Sequence, residues 1–218
     1  MGKLVVLEGL DGSGKTTQLG LLCAALDARG TAYRKLEFPC YDSDSSMLVR
    51  MYLDGRFGGD PEDVNAYAAS SFYAVDRYAS YQSDWGPGYE AGDLFVAGRY
   101  TTSNAIHQGA KLSGAARLTY MDWLFDYEYR LLGLPAPDVV LYLDVEVPTA
   151  LANIEKRQAA RDIHETHAEY LGLCRESALE AAARYGWHTV PCGADGAMRP
   201  AKDIAGDILK IINKVGIC

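Results

Sequence analysis

Gly9-Leu10-Asp11-Gly12-Ser13-Gly14-Lys15-Thr16, followed by Thr17, has the spacing G-x-x-x-x-G-K-[ST], and its surroundings decide the fold. Before it, Leu4-Val5-Val6-Leu7 is a continuous apolar run, the pattern of a strand buried on both faces. After it, Thr17-Gln18-Leu19-Gly20-Leu21-Leu22-Cys23-Ala24-Ala25-Leu26 carries apolar residues at helical spacing. Strand, glycine-rich turn and helix in that order make residues 9–17 a phosphate loop. The glycines let successive backbone N–H groups turn inward, and the helix N-terminus adds positive potential. Gly9, Asp11, Gly12, Ser13, Gly14, Lys15, Thr16 and Thr17 are therefore expected to cradle the phosphates of a nucleoside triphosphate. Lys15 is expected to reach the β- and γ-phosphates, and Thr16 to offer its hydroxyl to Mg²⁺.

Outward from the loop, strand-like and helical runs alternate. Residues 33–38 read as a second strand ended by Pro39, and residues 47–53 as a short helix stopped near Gly55. Pro61 reads as the opening of the next helix, with Asp60 as its cap and a run from 66 to 81. Residues 94–97 and 139–143 suit central parallel strands, 188–190 a short last strand, and 204–212 an amphipathic closing helix. Such alternation predicts a three-layer α/β/α architecture with a parallel central sheet of about five strands. A chain of 218 residues fits one domain over 1–218, with no internal repeat or linker.

Composition excludes several function classes. A formal charge of −8 argues against a nucleic-acid polymer as partner. No apolar run reaches the length of a membrane span, and the chain enters its first strand within three residues, so neither a membrane nor a targeting segment is expected. Cys23, Cys40, Cys174, Cys192 and Cys218 are odd in number and lack C-x-x-C spacing. They are expected to be reduced thiols in the cytoplasm, without a disulfide framework or zinc site.

Further motifs name the second substrate by resemblance. The segment from Val6 to Gln18 resembles the opening of thymidylate kinases, P-loop nucleoside monophosphate kinases that pass the ATP γ-phosphoryl group to dTMP. Phe38-Pro39 stands where that family has a Phe-Pro motif, and Tyr73-Ala74-Val75-Asp76-Arg77 resembles its base-recognition helix. Arg99-Tyr100-Thr101-Thr102-Ser103-Asn104-Ala105, extended by Gln108, resembles its Asp-Arg-Tyr segment. The stretch 156–168, with Arg161-Asp162-Ile163-His164-Glu165, falls where the family places a small mobile lid.

The resemblance implies roles for these residues. Asp11 would accept a hydrogen bond from the sugar 3′-hydroxyl, or else serve as a turn-former. Tyr73 would stack on thymine and Arg77 would donate to a base carbonyl from the same helix face; otherwise they are core and ion-paired groups. Arg99 would clamp the acceptor phosphate bidentately. Phe38, Pro39 and Tyr41 would line the pocket. Ser103, Asn104 and Gln108 are either contacts to the nucleotide or caps and satisfied buried amides. Lys15, Arg99 and a lid arginine, Arg161 in preference to Arg157, would neutralise charge on the transferring group, with Lys156 a further basic candidate. His164 would lie near the sugar.

Three departures from the family pattern stand out. The Phe-Pro motif continues to Cys40-Tyr41 where the family has an arginine, so Arg99 does more, or Arg50 or another cation reaches in. Gly12 stands where some members carry a catalytic arginine, which moves that duty to the lid. Gly98 replaces the aspartate of Asp-Arg-Tyr, and an active but impaired or altered enzyme is expected, with Glu8, Asp11 or Asp144 compensating. The acceptor alternatives are another deoxynucleoside or deoxynucleotide; a catalytically weak nucleotide-binding protein is the other reading. Resemblance further implies a homodimer, with Tyr67, Phe72, Trp123 and Phe125 either interfacial or core.

Overall fold

The computed structural model describes residues 1–156, 168–194 and 196–217. The chain opens with β1 (Lys3–Gly9), α1 (Lys15–Ala28), β2 (Arg34–Leu36), α2 (Met47–Leu53) and α3 (Ala66–Ser80). It continues through α4 (Gly86–Ala91), β3 (Leu94–Ala97), α5 (Thr101–His107), α6 (Gly114–Phe125) and β4 (Val139–Asp144). Then come α7 (Val147–Lys156), α8 (Ala168–Tyr185), β5 (His188–Pro191), the short pair β6 (Gly193–Ala194) and β7 (Ala197–Met198), and α9 (Ala201–Lys214). The main sheet has five strands in the order β2-β3-β1-β4-β5, and every pairing in it is parallel. The expected architecture is the one observed.

The continuous apolar runs are explained by burial on both faces. Val5, Leu7, Val96, Leu141, Leu143 and Val190 pack against Leu19, Leu22 and Leu26 of α1 and Ile204, Ile208 and Ile212 of α9. The alternate residues Leu4, Val6, Phe95 and Ala97 pack on the other face with Trp85, Tyr89 and Tyr100. Period-two alternation thus splits each strand between two helical layers. The connection leaving β1 passes over β3 to reach β2, whereas the one leaving β3 passes over β1 to reach β4. The chain reverses direction between β1 and β3, and a crevice opens there at the carboxyl ends of the strands.

Local readings needed two corrections. The second strand covers only Arg34–Leu36, because Phe38 turns into the core and leaves the edge of the sheet. Asp60 and Pro61 open only a one-turn 3₁₀ helix, Pro61–Asp63, in which Asp60 accepts from the Glu62 N–H at 2.9 Å and Asp63 from the Asp60 N–H at 3.0 Å. Val64 then takes an extended conformation and buries its side chain. Asn65 caps α3 instead, accepting from the Ala68 N–H at 2.9 Å.

The closing helix owes its place to its apolar stripe. Ile208 is 1% exposed between α1 and the sheet, so Ile208→Ala should cost about 2–5 kcal/mol of stability. Urea unfolding followed by circular dichroism should show the midpoint fall; an unchanged midpoint would mean that α9 does not seal this layer.

Candidate active site

The phosphate loop sits at the crevice. Gly12 and Gly14 adopt φ of 80° and 88°, a left-handed region that glycine enters without strain. Gly12 is also locked by packing, since a Cβ there would stand 2.2 Å from the Ala150 carbonyl oxygen of α7. That close approach explains in physical terms why no side chain occupies this position. Asn153 of α7 donates to the Gly12 carbonyl at 2.9 Å and holds the loop from outside. The Ser13 hydroxyl is buried with no hydrogen-bond partner among the described residues, as a loop built for phosphate oxygens would leave it.

Lys15 lies back on the loop. Its Nζ donates to the carbonyls of Gly9 at 2.7 Å and Leu10 at 2.9 Å and lies 3.5 Å from an Asp11 carboxylate oxygen. Burial, reinforced by the Arg99 cation, pushes the Lys15 ammonium down to about 8. The loop borders a cleft of about 620 Å³ whose far wall includes Lys35, Glu37, Gly98 and Arg99. Thr16 heads α1 within this cleft.

A second pocket joins the cleft at Asp11, Phe38, Pro39, Tyr41 and Arg99. All ten residues expected at the acceptor line it: Asp11, Phe38, Pro39, Tyr41, Tyr73, Arg77, Arg99, Ser103, Asn104 and Gln108. Arg77 is the most constrained of them. Its Nε donates to Glu128 at 2.7 Å, and its Nη2 to Glu128 and to the Asn104 side-chain oxygen at 2.7 Å. Thr101 adds a donor to the same carboxylate at 2.7 Å. Burial opposes the Arg77 cation, but the Glu128 carboxylate more than offsets it and the guanidinium stays firmly protonated. Nη1 carries the donors that no described hydrogen bond uses, so the ion pair, buried rather than at the surface, coexists with a residual capacity to donate to a ligand. Gln108 is 1% exposed and its Oε1 has no partner among the described residues.

Arg99 lies between two groups that the sequence did not show to be neighbours. Its Nη2 donates to Asp11, and its Nη1 lies 3.1 Å from Nε2 of His107, a pocket-lining residue that sequence reasoning missed. A guanidinium only donates, so Nε2 must accept; the ring proton then sits on Nδ1, 3.6 Å from the Cys174 sulfur.

Glu8, expected as a compensating carboxylate, takes a different place. It is fully buried at the end of β1 and accepts from Tyr100 N–H at 3.2 Å, Thr102 Oγ1 at 2.7 Å and Ser103 Oγ at 2.8 Å. Burial raises its carboxyl above the usual range, against the pull of these donors. Ser103 is thus anchored to Glu8 as well as lining the pocket. Neither Glu8 nor Asp144 lines the cleft, and Asp144 is held by Arg175 at 2.7 and 3.0 Å, so the compensation expected of these two is corrected. Arg50 does not reach the pocket either: it donates to the Tyr41 and Ser43 carbonyls and the Ser46 hydroxyl, bracing the turn that carries Tyr41. Arg157, Arg161 and His164, with most of the expected lid, lie outside the described residues.

Comparison with known proteins agrees with this geometry. The family model described as "Thymidylate kinase" matches residues 7–194. The thymidylate kinase of Mycobacterium tuberculosis is 31% identical over 201 residues, 88% of this chain and 92% of that protein. A probable thymidylate kinase of Pyrobaculum aerophilum is 28% identical over 97% of this chain and 96% of its own length. The solved structure of thymidylate kinase from Candida albicans matches with a TM-score of 0.72 at 21% identity, covering 98% of this chain and 92% of that one, a likeness of fold. Matched by the family model over residues 7–194 and by a relative at 31% identity, this chain belongs to the thymidylate kinase family.

Proposed function

We propose that this protein transfers the γ-phosphoryl group of ATP to dTMP, giving ADP and dTDP for dTTP synthesis. One observation carries the reading: Asp11 ties Lys15, on the donor cleft, to Arg99, on the acceptor pocket, so that both phosphate sites share a wall. ATP phosphates would lie along Gly9 to Thr17, and Lys15 would leave its loop carbonyls for the β- and γ-phosphates. Arg99 would hold the acceptor phosphate, Asp11 the sugar hydroxyl, and Tyr73 and Arg77 the base. Thr16, Thr17, Asp11 and Glu37 are cleft residues whose oxygens suit a hard cation, and Mg²⁺ held there by Thr16, water and the phosphates would neutralise charge during transfer. Arg161, or Arg157, would complete the charge on closure of a lid over 156–168.

An anionic acceptor is favoured over a neutral hydroxyl. A hydroxyl needs a general base, whereas Glu8 is engaged by three donors and Asp144 by Arg175. The dTMP phosphate already carries the nucleophilic oxygen, so positioning and charge suffice. We further propose one domain over the whole chain, a cytoplasmic setting for the four free cysteines among the described residues, and no nucleic-acid polymer or membrane partner. No helix among the described residues is long and apolar enough to cross a membrane. For the homodimer, α3 offers Tyr67, Val75 and Tyr78, exposed by 38%, 50% and 41%. Phe72 and Phe125 instead pack on Tyr52 and Tyr129 inside the chain, and Trp123 packs against Tyr67.

Coupled turnover should show ADP formation that depends on dTMP; its absence, despite ATP binding, would overturn the assignment. Arg99→Lys should lower kcat/KM for dTMP by about ten- to a hundredfold, the loss of one charge-assisted bond in a bidentate clamp, and leave KM for ATP nearly unchanged. A second test follows from Lys15, which is protonated below about pH 8 in the free protein and loses its charge above it. Accordingly, kcat/KM for ATP should decline on the alkaline side of about pH 8, and Lys15→Arg should lack that limb. Light scattering should give twice the 23.8 kDa chain mass, and Val75→Glu should return it to one.

A further inference from the structure

Asp11 and Glu37 are the carboxylates that line the donor cleft among the described residues. Asp11 is engaged by Arg99 and Lys15. Glu37 follows directly on β2, whose register against β3 is Arg34 with Phe95, Lys35 with Val96 and Leu36 with Ala97. Extending that register by one places Glu37 beside Gly98, about 5 Å away between Cα atoms. Partners in a parallel ladder project to the same face, and here that face is the one covered by α1. A Cβ on Gly98 would stand 2.9 Å from Leu19 Cδ2, the end of a flexible side chain, and would displace that methyl slightly. Glu37 lines the cleft from the β2 side, and a glutamate there has one methylene more reach than an aspartate would have from 98.

Glu37 is available for such a role. Its side chain is 74% exposed, and its ion-pair partner is Lys35, two residues back on the same face. An exposed pair of this kind contributes little and is readily exchanged for a stronger charge. Mg²⁺ keeps several of its waters and takes one or two carboxylates alongside substrate phosphates. Resting on the kinase reading above, we propose that Glu37 is a positioning residue that orders the hydration shell of the triphosphate-bound Mg²⁺ from the strand beside Gly98. Lys35 then acts as its counter-charge in the nucleotide-free protein.

The test uses Mn²⁺ in place of Mg²⁺, titrated into the full chain with ADP and followed by the paramagnetic resonance of free Mn²⁺. Glu37→Gln, exposed and so without consequence for folding, should weaken Mn²⁺ binding to the ADP complex by about tenfold. Lys35→Gln should leave it unchanged or tighten it. Mn²⁺ affinity in Glu37→Gln within twofold of the unsubstituted protein overturns the proposal, as does an equal loss in Lys35→Gln, which would indicate a general disturbance of β2. Turnover of MgATP with dTMP by the unsubstituted protein separates the two failures. Without dTMP-dependent turnover the kinase reading falls; with turnover but unchanged Mn²⁺ binding, the role of Glu37 alone falls.

Discussion

The buried carboxylate of Glu8 holds the two halves of the site in one frame. It is the penultimate residue of the central strand, immediately before the phosphate loop, and receives the Tyr100 amide and the Thr102 and Ser103 hydroxyls, more than ninety residues away in sequence. An isolated carboxylate in such a place would cost several kcal/mol; three donors make it tolerable, and the raised carboxyl shows that burial still outweighs them. What the arrangement gains is position. The loop after β1 and the turn after β3 cannot move apart without exposing an unsatisfied charge, so Arg99, the residue before Tyr100, is carried to Asp11. Electrostatic catalysis depends on such preset geometry more than on the strength of any single contact.

The same principle shapes the base end of the pocket. Glu128 fixes Arg77 through two hydrogen bonds, and Arg77 in turn fixes the Asn104 amide by occupying its oxygen. A free arginine on a helix would have to lose side-chain entropy on binding a base; this one has already lost it during folding. Such buried pairs are weak contributors to stability; here the pair sets the direction in which the guanidinium meets the pocket. Asp76 serves the opposite wall, accepting from the Cys40 N–H at 2.8 Å and the Ser45 hydroxyl at 2.6 Å, and so holds the turn that displays Pro39 and Tyr41.

Local chemistry was legible in the sequence and long-range partnership was not. The phosphate loop and the alternating apolar strands could be read because each is a pattern within a few positions, and the ten residues that resemblance assigned to the acceptor line one pocket. Glu8 and Glu128 look like any other acidic residue in the chain; only the fold brings them to Thr102 and Arg77. His107 was missed for the same reason, since its role depends on Arg99 and Cys174 rather than on neighbours in sequence. The misplaced start of α3 is a different failure. Asp60-Pro61 is a sound helix opening, but burial of Val64 broke the run and Asn65 restarted it.

Gly98 is where pattern and physics give different answers. Read as a pattern, a glycine in place of an acidic residue is a deletion, and Glu8 or Asp144 is the natural substitute. In the fold, Leu19 Cδ2 lies beside Gly98, Glu8 is held by the Thr102 and Ser103 hydroxyls of the segment that follows Gly98, and Asp144 faces Arg175. A side chain at 98 would ask only the end of the flexible Leu19 side chain to shift. In transfer to a phosphate acceptor the nucleophilic oxygen is already ionised, and the remaining demand is for charge placed around the metal and the transferring group. That demand is spatial and not tied to one position in the chain. At the carboxyl edge of a parallel sheet, neighbouring strands offer adjacent positions on one face, so a charge lost from β3 has its nearest equivalent on β2.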